Sequence, residues 1–134
     1  QLLPRISSNV SVHPTEPEAD PLLDWMMSCE KLLAHLPDDV LVLPAHNEPF
    51  RGAHARLRHL IDGHETALSR LKGRMQKGPL TVMDTFTSLF GRAIKADEVG
   101  MASGEAIAHL NCMIHRGEVV RIAGEDGVDR YALA

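Results

Sequence analysis

The sequence has few aromatic residues and no long apolar run. Aromatic side chains make up 4% of its 134 residues, which leaves few rings for stacking on nucleic-acid bases. No apolar run approaches the roughly 20 residues that span a bilayer, and no basic-then-apolar start resembles a signal peptide. We therefore expect a cytoplasmic protein without a membrane partner.

Cysteine and concentrated positive charge are also scarce. Cys29 and Cys112 lie among apolar residues in helical patterns, so each predicts a small buried hydrophobe rather than half of a disulfide. The net charge of −4 includes no basic block, which argues against a nucleic-acid surface built from bulk electrostatics. With 44% apolar and 24% charged residues, the composition is typical of one ordinary globular domain or two small ones.

The first 77 residues read as an extended connection followed by helix, strand and helix. Residues 1–19 are rich in proline, which predicts a connection rather than an element. Asp20 is a predicted N-cap for a helix over 21–36, and apolar spacing predicts a second helix over 53–75. Between them, the run 40–43 lacks polar alternation, which predicts a strand covered on both faces and ended by Pro44. This order predicts half of an α/β layer.

Gly78 and Pro79 mark a predicted domain boundary, because the pattern changes after them. Thr81 is predicted to cap one helix, and Ser103 to cap another that ends at Gly117. Strands are expected over 118–122 and 128–133, around a turn at 124–127. The order predicts a small winged-helix-like domain over residues 78–134. Its last helix is expected to present six residues outward: Glu105, Ala108, His109, Cys112, His115 and Arg116.

His46 is the candidate metal ligand, because it follows the apolar run 40–43 on a loop framed by prolines. The alternative is a loop histidine bonded to backbone. Glu48 is a candidate to orient His46 or a plain loop charge. Arg5 is a candidate substrate contact or the partner in a structural salt bridge. Three further histidines are spaced five residues apart, so on a helix they point in three directions and are expected to be solvated or to pack: His54, His59 and His64.

Three segments in order resemble one family. These are Leu3-Pro4-Arg5-Ile6-Ser7, then Leu43-Pro44-Ala45-His46, then residues 100–106 with His109-Leu110. Together they resemble metallo-β-lactamase-fold hydrolases that end in a small winged-helix domain. The resemblance implies that residues 1–77 are the C-terminal helix–strand–helix portion of an αββα domain. It also implies a two-zinc centre with His46 as a ligand, and a small ester, thioester or lactam-type substrate.

The sequence departs from the family in its metal ligands. The motif His-x-His-x-Asp-His is not present in it, and the family's bridging aspartate is expected just upstream of Gln1. A zinc pair needs several imidazoles and carboxylates at one point, and only His46 can be carried over. We therefore expect the C-terminal part of a longer zinc-dependent hydrolase, with no catalytic residue of its own and no fully bound zinc.

The alternative function is a non-enzymatic winged-helix module that binds protein or nucleic acid. Residues 76–134 carry six Lys and Arg against eight Asp and Glu, so we expect no specific nucleic-acid partner. The helix 21–36 and the run 40–43 should bury their apolar sides against a sheet that these residues do not supply. We therefore expect self-association, or collapse of the two long helices onto each other and onto the C-terminal domain.

Overall fold

The computed structural model describes residues 2–134, so Gln1, the first residue of the predicted connection, lies outside the described residues. The chain is mostly helical. Its helices are α1 (Pro21–His35), α2 (Ala53–Met75), α3 (Phe86–Phe90) and α4 (Val99–His115), and its strands are β1 (Val119–Ile122) and β2 (Arg130–Leu133). Two single turns of 3-10 helix, Met83–Thr85 and Ala96–Glu98, precede α3 and α4.

The two long helices form where the apolar spacing predicted them. The Asp20 carboxylate accepts a hydrogen bond of 2.9 Å from the Leu23 N–H, which satisfies one of the free donors at the start of α1. Pro21 occupies the first helical position, where its missing N–H costs nothing. Gly78, with a φ of 134°, follows the end of α2, and this conformation favours glycine.

The predicted start of α4 at Ser103 is wrong, because the helix begins at Val99. The Glu98 carboxylate accepts hydrogen bonds from the Lys95 N–H at 3.0 Å and from Arg92 at 2.7 Å. These contacts fix the turn that leads directly into α4, so no cap at Ser103 is needed. The predicted end is confirmed, since Gly117 follows the helix with a φ of 70° in the left-handed conformation that terminates helices.

One apolar core joins α1, α2, α4 and the hairpin. The expected collapse of the two long helices onto each other and onto the C-terminal residues is confirmed. The prediction that α4 presents Ala108, His109 and Cys112 outward is wrong, because all three are buried. The reason is that α1, α2 and the N-terminal segment cover α4 from sides that its own periodicity does not reveal. Both cysteines are buried free thiols, as predicted.

The C-terminal strands pair as an antiparallel hairpin, with Val119 opposite Leu133 and Ile122 opposite Arg130. Leu80 adds a single bridge to Tyr131, with N–O distances of 2.9 and 2.8 Å. The predicted boundary between residues 77 and 78 stays a prediction. The main core contains residues from both sides of it, including Leu71 and Leu110.

The predicted buried strand over 40–43 is wrong. Within residues 2–134, this run pairs with another segment through a single bridge, between Val42 and Phe50. Leu41 and Leu43 are 53% and 74% exposed. An apolar run becomes a covered strand only where neighbouring strands accept its hydrogen bonds, and the described residues place none beside it.

The N-terminal segment contains no helix or strand between residues 2 and 20, as predicted. It nevertheless packs on α4. The Val12 N–H donates to the Gly104 carbonyl at 3.1 Å, and the buried Asn111 amide donates to the carbonyls of Pro17 and Ala19 at 2.8 Å each. The segment is thereby fixed along the helix. Among the helices in residues 2–134, none combines the length and apolar character that crossing a bilayer requires.

Candidate functional site

His46 lies on an exposed loop between the two residues of the Val42–Phe50 bridge. Pro44 and Pro49 flank it, and the next residue, Asn47, has a φ of 69°. Within residues 2–134, we find no hydrogen bond to the His46 ring. Both ring nitrogens are therefore available to another ligand, and the structure places the imidazole where the sequence predicted it, on a loop.

The base of this loop is anchored to the start of α2. The Asp38 carboxylate accepts a hydrogen bond from the His54 N–H at 3.0 Å, and the His54 ring donates to the Leu36 carbonyl at 2.6 Å. The Arg51 guanidinium donates to the Asp39 carbonyl. These contacts hold the end of α1 against the start of α2, so the loop that carries His46 begins and ends at fixed points.

Glu48 contacts Arg5 and not His46. The shortest distance from the Arg5 guanidinium to the Glu48 carboxylate is 3.3 Å, and the two side chains are 71% and 68% exposed. The salt bridge that the sequence left open for Arg5 is therefore present. The roles of Glu48 in orienting His46 and of Arg5 in contacting substrate stay predictions.

Arg56 of α2 positions the segment that carries Arg5. Its guanidinium donates to the Leu3 carbonyl at 2.7 Å and to the Ile6 carbonyl at 2.8 Å. Burial lowers the pKa of Arg56 from its usual value, because a charge removed from water loses hydration. Sequence reasoning missed this residue, since no local pattern links position 56 to positions 3 and 6.

A buried histidine pair lies between α2 and α4. The Nδ1 of His109 donates to the Glu105 carbonyl at 2.8 Å, since a carbonyl can only accept. The neutral ring then accepts at Nε2 from the Nδ1 of His64, 3.2 Å away. The remaining nitrogen of His64, Nε2, is buried without a hydrogen-bond partner among the described residues. Trp25 packs edge-on against the same ring, with centroids 5.1 Å apart.

Burial holds this pair in the neutral state. It lowers the pKa of His64 to about 4 and lowers that of His109 as well, because an apolar environment disfavours the charged imidazole. The prediction that His54, His59 and His64 are solvated or pack is confirmed: His59 is exposed, His54 is half-buried, and His64 packs inside. Its place in the apolar stripe with Leu57, Leu60 and Leu71 was a signal for burial that the sequence did contain.

The residues present do not by themselves form a metal centre. Residues 2–134 contain no group of three or more His, Cys, Asp or Glu side chains that could hold a metal ion. The two thiols are also unsuited, because burial raises the pKa values of Cys29 and Cys112 to about 11, and a thiol binds metal as the thiolate. Within residues 2–134, His46 therefore belongs to no such group.

Comparison with known proteins relates this chain to one protein family. A family model described as metallo-beta-lactamase-like, C-terminal domain, matches residues 68–134. No curated protein matches the chain.

Two solved structures resemble the chain over nearly its whole length. A beta-lactamase domain protein from Burkholderia ambifaria is 40% identical with a TM-score of 0.94, and covers 99% of this chain. A metallo-beta-lactamase family protein from Thermus thermophilus is 26% identical with a TM-score of 0.79, and also covers 99%. The chain spans 39% and 40% of the lengths of these two proteins.

Proposed function

Because the chain belongs to the metallo-beta-lactamase-like family, whose C-terminal domain matches residues 68–134, we propose that it acts as the C-terminal part of a metal-dependent hydrolase. By itself it is not catalytically competent. One observation carries the proposal: His46 is a free imidazole on an anchored loop, and residues 2–134 contain no group of three or more His, Cys, Asp or Glu side chains that could hold a metal ion.

The division of roles follows from coordination chemistry. A catalytic zinc needs three protein ligands and an open position, and a zinc pair needs more. His46 supplies one nitrogen, and the family resemblance assigns it as the last histidine of a two-zinc site. The remaining ligands then come from residues outside this chain. The two solved relatives are about two and a half times as long as the chain, which leaves room for such ligands.

The substrate class follows from the family alone. We propose a small ester, thioester or lactam-type molecule, because this fold is used for hydrolysis at a metal-bound water. The described residues contain neither an activated thiol nor a metal cluster, so no hydrolytic step is assigned to this chain's own side chains.

We also propose that residues 78–134 form a winged-helix-like domain with a structural or substrate-gating role. The order of α3, α4 and the β1–β2 hairpin supports it. A DNA-binding role is less well supported, because Glu125 and Asp126 lie at the hairpin turn, and Asp126 already pairs with Arg130 at 2.8 Å. An acidic turn repels the phosphate backbone that a wing should contact.

Zinc titration of the chain tests the main proposal. We expect no stoichiometric site tighter than about micromolar in calorimetry, and no turnover of a thioester or a chromogenic lactam. The control is His35→Ala, which removes another exposed imidazole that does not line a cavity beside the His46 loop. A tight site or an activity that disappears in His46→Ala and persists in His35→Ala would show that the chain is a complete enzyme.

Reading the coding sequence upstream of residue 1 provides an independent test. The hydrolase proposal requires His-x-His-x-Asp-His and a later aspartate in the same frame. A frame that lacks them supports the non-enzymatic binding module instead.

A further inference from the structure

A cavity of about 240 Å³ lies between the N-terminal segment, α2 and α4. Its volume is several times the roughly 30 Å³ that one water occupies in the liquid. Its polar lining includes Arg5 and Ser7 from the segment and Arg56 and His59 from α2. One acidic side chain, Glu105 of α4, also lines it. Two guanidinium groups and a hydroxyl at one cavity are the donor set that binds oxyanions.

Arg56 is preorganised for such a ligand. Its hydrogen bonds to Leu3 and Ile6 use two of its five N–H groups and fix the plane of the guanidinium. The charge is partly desolvated, and Arg56 has no carboxylate partner among residues 2–134. An anion in the cavity would compensate that charge without any rearrangement of the side chain.

Arg5 supplies the second, exchangeable charge. Its contact with Glu48 is long and solvent-exposed, and such ion pairs are worth little, so a ligand can replace Glu48 at low cost. Glu48 is two residues from His46. The Arg5–Glu48 contact therefore places one wall of the cavity next to the loop that carries the candidate metal ligand.

We propose that this cavity binds the oxyanion of the substrate, a carboxylate or a phosphate group, through Arg5 and Arg56. The inference rests on the proposed function, since it makes the substrate of the hydrolase an anion whose reacting bond lies toward His46. The apolar neighbours Leu60 and Leu89 then contact the uncharged part of the same molecule.

Titration of the metal-free chain with inorganic phosphate and, separately, with acetate tests the proposal. Amide chemical shifts are followed at pH 7.5, with sodium chloride keeping the ionic strength constant. We expect saturable shifts at Ser7, His59 and Gly63, with a dissociation constant below about 10 mM for at least one anion. Binding of phosphate alone indicates that the anionic group of the substrate is a phosphate, and comparable binding of acetate indicates a carboxylate.

Two variants are expected to change the affinity in opposite directions, and a third is the control. Arg5→Gln is expected to weaken binding about fivefold, because it removes an exposed charged donor. Glu105→Gln is expected to tighten it about twofold, because it removes a like charge facing the anion. Arg58→Gln is the matched control, since Arg58 is an exposed arginine on the same helix that does not line the cavity, and it should change the affinity by less than twofold.

Some results would overturn the proposal. Shifts that never saturate, that are matched by added chloride, or that respond equally to Arg5→Gln and Arg58→Gln would show only a general ion atmosphere. The measurement needs no metal, so it is independent of His46. Anion binding without the upstream metal motif would refute the hydrolase and leave the site, whereas a metal-dependent hydrolase without anion binding would refute the site alone.

Discussion

At the scale of single residues, the least expected feature is the neutral histidine pair inside the molecule. His64 and His109 lie on different helices and are 45 positions apart in sequence. Each ring has one defined tautomer, because the chain of hydrogen bonds ends at the Glu105 carbonyl, which can only accept. The Nε2 of His64 is a buried acceptor without a partner among the described residues, which costs about 1–3 kcal/mol. Protonation at this nitrogen would place a charge in the apolar core, so the stability of this region depends on pH.

The pair makes the stability of the chain depend on pH. The pKa of His64 is about 4 in the folded chain and 6.5 when unfolded, so between these values the unfolded state binds the proton and the folded state does not. The free energy of unfolding should therefore fall as the pH falls, by about 2 kcal/mol between pH 7 and pH 5. His109, whose pKa is also lowered, acts in the same direction.

Urea unfolding at the two pH values measures this effect. In His64→Leu the loss between pH 7 and pH 5 should be clearly smaller, whereas the exposed control His59→Leu should retain it. Equal pH dependence in His64→Leu and the original chain would mean that His64 is not the titrating group.

At the scale of elements, the two long helices show what the sequence could predict. Apolar residues at spacings of three and four predicted helices over 21–36 and 53–75, and they form over Pro21–His35 and Ala53–Met75. Periodicity defines which face of a helix is buried, but not which partner covers it. That is why burial of Ala108 and His109 was missed, since their neighbours come from α1, α2 and the N-terminal segment.

The candidate site was predictable only in part, for the same reason. The position of His46 on a loop followed from the local run of apolar residues and prolines. The Arg56 contacts with Leu3 and Ile6 span about fifty residues, and no local pattern encodes such a distance. The predicted strand over 40–43 does not form, because an apolar run predicts burial, whereas actual burial depends on neighbouring strands that the described residues do not supply.

Substitutions at two helical glycines are expected to change the stability of the chain in opposite directions. Gly63 lies inside α2 with no atom within 4 Å of an added Cβ, so Gly63→Ala should stabilise the chain by about 0.5–1 kcal/mol through helix propensity. At Gly104 in α4, an added Cβ would lie 3.0 Å from the Ser11 Cβ. Gly104→Val should therefore destabilise by about 1–3 kcal/mol, because it pushes the N-terminal segment off the helix.

Thermal and urea unfolding of both variants measure these changes. Gly104→Val should also make the amide protons of residues 9–12 exchange faster, since the Val12 hydrogen bond to the Gly104 carbonyl is lost. A stable Gly104→Val with unchanged exchange would show that the segment does not depend on this contact.

At the scale of the whole molecule, one core serves both halves of the chain. Val10, Leu22, Leu71, Leu110 and Val119 belong to the same apolar cluster. The matching family model begins at residue 68, inside α2. The first turn of α2 anchors the His46 loop, and its last turns lie in the region that the model matches. This continuity gives the His46 loop and the anion cavity a common rigid support.

The segment that the sequence predicted as a buried strand leaves an apolar surface exposed outside that core. Leu41 and Leu43 are more than half exposed, and Ile6 is 55% exposed. Burying one leucine side chain is worth about 1.5–3 kcal/mol, and the net charge of −4 gives only weak repulsion between copies at physiological salt. We therefore expect concentration-dependent self-association of the chain, with Leu41 and Leu43 in the contact.

Sedimentation velocity across a range of protein concentrations tests this prediction. The double change Leu41→Ser and Leu43→Ser should weaken association at least tenfold, since each tenfold step corresponds to about 1.4 kcal/mol. The matched control is Met83→Ser with Val128→Ser, which removes two exposed apolar side chains beside the hairpin and should leave association unchanged. A monomer at several hundred micromolar, or an equal effect of the two double variants, would show that the exposed run 40–43 is not a contact surface between copies.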